Sequence, residues 1–105
     1  LYSRVTEAIL RAERATTPED MATAYAEVSR IEEEIAALIP ADNLEGAIAR
    51  HGVITAAIEA GDFSRAAERA QMYATEVDLP DAYRTEMIAL LQEATDRLRT
   101  SARTS

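Results

Sequence analysis

The pair Gly61-Asp62 constrains this chain more than any other feature. It divides two stretches whose apolar residues recur at helical spacing, Ile54, Ala57 and Ile58 before it and Phe63, Ala66, Ala67 and Ala70 after it. Glycine suits the left-handed position that ends a helix. Asp62 can then cap the following helix, its carboxylate accepting free N–H groups of the first turn. The alanines let two backbones approach closely, so Arg50 to Val77 is expected to form a helical hairpin.

Helical spacing continues on both sides. Leu1, Val5, Ala8, Ile9 and Ala12 share one face of a first helix. Thr17 then offers an N-cap, Pro18 fits the first helical position, and Asp20 adds negative charge to the first turn. The second helix is expected to reach Leu38. Its Met21, Ala24, Val28, Ile31, Ile35 and Leu38 alternate at spacings of three and four, the seam that an antiparallel bundle or short coiled coil requires. Met21, Val28, Ile31, Ile35 and Leu38 are therefore the candidate interaction residues, for a protein partner or for a second copy of the chain. Glu32-Glu33-Glu34 interrupts the seam and is expected to be a solvated face. A cation site there would need further carboxylates from another helix.

Pro40 ends that helix, and Asp42 or Asn43 caps a third, from about Leu44 to Ala60. Leu44, Ile48, His51, Ile54 and Ile58 form its stripe. Gly46 and Gly52 inside it weaken it by about 1 kcal/mol each relative to alanine. After the hairpin, Leu79-Pro80-Asp81 starts a fifth helix with Tyr83, Met87, Leu90, Leu91, Ala94 and Leu98 on its apolar side. No strand-like alternation occurs. Residues 1–100 are thus expected to be a single all-α domain of about five antiparallel helices, with 101–105 a polar, fraying tail. Leu38-Ile39-Pro40-Ala41-Asp42 echoes Asp78-Leu79-Pro80-Asp81-Ala82, so the architecture is either a helical-hairpin bundle or a short α-solenoid.

The composition excludes several functions. Net charge is −8 over 105 residues, and all 11 basic residues are scattered arginines. Phosphate neutralisation needs clustered cations, so no nucleic-acid partner is expected. There is no cysteine, which excludes disulfides and Cys-ligated metals. No apolar run approaches the ~20 residues that span a bilayer, and nothing resembles a signal peptide, so no membrane association and a cytoplasmic location are expected. The chain starts at Leu1 without Met, as a processed protein or a piece of a longer one would. With no Lys there is no Walker-type phosphate loop. No Glu-x-x-His pair or activated nucleophile stands out either. No enzymatic activity and no cofactor are expected. His51, the sole histidine, is expected to be packed with one hydrogen-bond partner and is the only candidate metal ligand of its type. Tyr2, Tyr25, Tyr73 and Tyr83 are expected at boundaries, ring buried and hydroxyl wet.

Two family resemblances attach to the central hairpin. A-I-E-A-G-D-F-S-R-A-A resembles part of a tetratricopeptide-type repeat, with Gly61, Phe63 and Ala66 at the family's spacing but without its Trp-Leu-Gly and Tyr positions. That resemblance implies a scaffold presenting a groove to another polypeptide. H-G-V-I-T-A-A-I-E-A-G-D-F-S-R-A also resembles the closing hairpin of the FCD effector-binding domain of GntR-type regulators, through His51, Ile54, Ala57, Ile58, Gly61, Asp62 and Ala66. There the His is a metal ligand beside a carboxylate-effector pocket. Here Tyr73 stands where that family has a further His, and its upstream Asp and His ligands are absent, so no complete metal site is implied. The leading expectation is a non-enzymatic helical interaction or regulatory module. The alternative is a small-molecule sensor with pocket residues His51 and Tyr73.

Overall fold

The computed structural model describes residues 2–104, with side chains over 3–101. Five helices follow one another: α1 (Tyr2–Arg14), α2 (Pro18–Leu38), α3 (Leu44–Glu59), α4 (Phe63–Ala74) and α5 (Asp81–Thr104). The chain is all-α. Each helix packs on its neighbour in sequence, and α3 also touches α5, so α3 lies at the centre of the array. The result is a slab of 37 × 35 × 17 Å.

Local chemistry sets the boundaries. Thr17 Oγ1 accepts from the Asp20 N–H at 3.1 Å, Asn43 Oδ1 from Glu45 at 2.9 Å, and Asp62 Oδ1 from Arg65 at 3.1 Å. Of the two cap candidates before α3, Asn43 is the one used. At the hairpin corner Gly61 has φ +78, a conformation that costs any side-chain-bearing residue. Its N–H bonds Ile58 O while the Asp62 N–H reaches back to Ala57 O, both at 2.9 Å, so the last carbonyls of α3 are satisfied as in a Schellman motif. The expected corner is present.

The core runs through all five helices. Val5 and Ala8 of α1, Val28, Ile31 and Ile35 of α2, and Val53, Ile54 and Ala57 of α3 are buried in one apolar cluster. Ala66 and Ala70 of α4, then Met87 and Ala94 of α5, complete it with no exposed surface. Ile9 departs from the expected α1 face and is 37% exposed. Leu1 lies outside the described residues, as does the side chain of Tyr2. The stretch from Ser101, expected as a tail, continues α5 as far as Thr104, and Ser105 lies outside the described residues.

Arginines tie the connections down. Arg50, 7% exposed, donates from Nη1 to Ile39 O and Gly46 O at 2.9 Å each and from Nε to Glu76 at 2.8 Å. It thereby joins the α2–α3 turn to the segment after α4. Arg84 donates to Ala74 O and Leu79 O at 2.7 Å each, closing the α4–α5 connection. Ser29, fully buried, donates to Val53 O at 2.8 Å and accepts from Arg65 Nε at 3.0 Å. Arg65 continues to Glu33 at 2.5 Å. Arg69 Nε is 3.1 Å from the other Glu33 oxygen but its N–H is not aimed at it, so this is a charge contact without a hydrogen bond.

Candidate functional site

The second helix does not present the seam that its spacing predicts as an interaction face. Val28, Ile31 and Ile35 are 5%, 1% and 1% exposed, enclosed by the chain's own helices. Only the ends of that seam, Met21 and Leu38, reach solvent. The reason is the central position of α3, against which the middle of α2 is spent.

Large apolar side chains reach solvent at several places, and on α3 one of them, Ile48, stands within a groove. Glu45, Ile48, Gly52, Thr55 and Glu59 recur at spacings of three and four and form the floor of a groove. Three adjoining cavities meet at Ile48, which is 50% exposed. One, of about 360 Å³, is lined by His51, Ala82, Tyr83 and Glu86. A second, of about 320 Å³, extends past Gly52 and Thr55 to Ile9, Tyr25 and Glu32. A third, of about 270 Å³, lies between Glu32 and Glu45. Helices α1 and α2 thus form one wall and the start of α5 the other.

Part of the predicted α3 stripe belongs here and part does not. Leu44 and Ile48 are exposed, His51 is one-third exposed, Ile58 is half-buried, and Ile54 is fully buried. The stripe divides because α3 is covered by α2, α4 and α5 on different sides, so its single apolar period serves both core and surface. His51 Nε2 lies 2.9 Å from Glu86 Oε2, and its ring meets the Tyr83 edge at 6.5 Å between centroids. Tyr73 does not line the two cavities that His51 borders. Tyr73 is 4% exposed and packs under the Arg50 guanidinium, 5.6 Å from its centre. Burial, with Glu33 nearby, pushes its phenol above the ordinary 10.0. The aromatic wall beside His51 is Tyr83.

The glutamate run also differs from a solvated face, since successive helical residues point about 100° apart. Glu34 pairs with Arg4 of α1 at 3.0 Å, and Glu33 with Arg65 and Arg69 of α4. Glu32 turns into the groove and lies over Gly52, where a Cβ would stand 2.6 Å from its Oε2. It has no ion-pair partner among the described residues, and burial raises its pKa above 4.5. The groove floor is consequently apolar at Ile48, with Glu45 and Glu59 at its two ends and Glu32 and Glu86 in its walls, and no arginine is in its lining. Among the described residues no three His, Cys, Asp or Glu side chains converge as a metal site. No described helix is long and apolar enough to cross a membrane.

Sequence reasoning missed Ile9, Glu32, Glu45, Glu59, Tyr83 and Glu86 as groove residues. The available signal was the alternation at 45, 48, 52, 55 and 59, obscured because its members are chemically mixed. Comparisons with protein families, curated proteins and solved structures find no match to this chain.

Proposed function

We propose that this chain is a non-enzymatic interaction or regulatory module that receives a protein segment in the α3 groove. The observation that carries this reading is Ile48, half-exposed where three cavities meet on the helix at the centre of the array. An apolar side chain held open on a rigid central helix is what a docking surface requires. The half-motif of Gly61, Phe63 and Ala66 supports the same reading, because the tetratricopeptide-type scaffolds it resembles present grooves to polypeptides. Small-molecule sensing fits less well. The His51 cavity is open along the groove, and its two polar walls, His51 and Glu86, already engage each other.

The test is selection of a displayed peptide library on the wild-type chain, with Ile48→Asp as counter-screen. Because Ile48 is half-exposed, the substitution leaves the core intact. Peptides that bind wild type and lose at least about tenfold in affinity on Ile48→Asp are expected, in line with loss of a central apolar contact. Enriched peptides indifferent to the substitution, or none enriched, refute the assignment.

A further inference from the structure

The charge around the groove narrows the partner, given the docking role just assigned. We propose that the groove takes a cationic amphipathic helix, with its apolar stripe on Ile48 and Ile9 and its Lys or Arg residues facing Glu32, Glu45, Glu59 and Glu86.

Three observations converge on this occupant. The border is acidic on both walls and the lining contains no arginine, although the chain has 11. Complementary charge on the partner follows, because like charges brought together across an interface are strongly disfavoured. Glu32 adds a local demand, for it is half-buried against Gly52 and has no cation beside it among the described residues. An ammonium or guanidinium from a partner supplies that counter-charge where the chain does not. A nucleic acid or an anionic lipid surface would bring the wrong sign. A second copy of the chain brings a net charge of −8 of its own.

The groove also selects conformation. From Glu45 to Glu59 the floor spans roughly 21 Å, about four helical turns. Its backbone is engaged in the α3 ladder, and Thr55 Oγ1 is bonded back to His51 O at 3.1 Å. An extended peptide would find few partners there for its own N–H and C=O groups. A helix satisfies them internally and lays one apolar stripe into the groove.

The decisive probe is a labelled helical peptide of about sixteen residues, roughly 24 Å long, with leucines spaced three and four apart and lysines flanking that stripe. Its counterpart carries glutamate in place of every lysine. Fluorescence anisotropy is expected to show the lysine peptide binding at least about tenfold more tightly. Glu32→Gln combined with Glu59→Gln is expected to weaken it by about tenfold, and the equally discharged Glu13→Gln with Glu93→Gln much less. Ile48→Asp makes the chain more acidic, so a merely electrostatic association would strengthen, whereas groove docking is lost. If the two peptides bind equally, or if both discharged variants lose the same affinity, the cationic partner is refuted while the groove stands. If binding of both peptides ignores Ile48→Asp, the docking role itself falls, and the partner assignment with it.

Discussion

Arg50 provides the sharpest test of what holds this fold together. Its guanidinium is nearly enclosed, yet its partners differ in how well they survive without it. In Arg50→Met the side-chain volume is largely kept and the charge removed. Gly46 O loses one donor but still serves the α3 ladder. Ile39 O loses the Nη1 donor that ties the α2–α3 turn to α3, a loss of about 1–3 kcal/mol if water cannot replace it. Glu76 is one-third exposed and rehydrates, so its lost pairing is discounted to about 1 kcal/mol. The cation–π contact with Tyr73 contributes about 1 kcal/mol. Against these stands the cost of burying a guanidinium, which methionine does not incur. The net expectation is a loss of about 2–3 kcal/mol, or roughly 10–20 °C in Tm for a domain of this size. Circular dichroism at 222 nm with urea and heat measures it. Arg50→Lys, which cannot reproduce the three-armed geometry, recovers less than half, and Glu76→Gln loses about 1 kcal/mol or less. A Tm within about 3 °C of wild type for Arg50→Met would mean that desolvation cancels every bond the guanidinium makes.

Two further outcomes follow from buried polar groups. Burial raises the Glu32 pKa above 4.5, so in this region of pH the native state binds more protons than the unfolded one and stability falls as pH rises through the folded value. Glu32→Gln is therefore expected to be more stable than wild type at pH 7, with the difference fading as pH approaches 4.5 and below; urea titrations at several pH values that show no such convergence would refute the assigned cause. Ser29→Ala removes the acceptor of Arg65 Nε inside the α2–α4 network and is expected to lose about 1–2 kcal/mol in the same assay, since the Val53 carbonyl keeps its helical partner.

The sequence made the elements legible because their signals are local. Thr17-Pro18, Asn43 and Gly61-Asp62 act within one turn of the chain, and the helices begin and end beside them. What covers each helix is decided by distant residues, and this is where periodicity ran out. The α2 seam has the spacing of an interface, but spacing is the same whether the second surface belongs to a partner or to α3. The family resemblance puts Tyr73 where a further His would stand near His51, whereas its ring is buried beside the guanidinium of Arg50, one residue before His51.

The glutamate run shows the same limit at the level of single residues. Three adjacent acids look alike as a charge block, but a helix sends them in three directions. Two of those directions meet arginines on other helices, at Arg4 and at Arg65 with Arg69. The third meets Gly52, whose missing side chain makes room for a carboxylate without supplying a charge. Filling that space should thus be informative. In Gly52→Ala the new Cβ would come within 2.6 Å of the Glu32 carboxylate and must displace it toward solvent. Alanine also favours the helix by about 1 kcal/mol over glycine, so the fold is expected to hold or gain stability while affinity for the lysine peptide falls. Unchanged peptide affinity, with Glu32 shown by carboxyl NMR shifts to have moved, would separate that carboxylate from recognition and leave the cationic contacts to Glu45, Glu59 and Glu86.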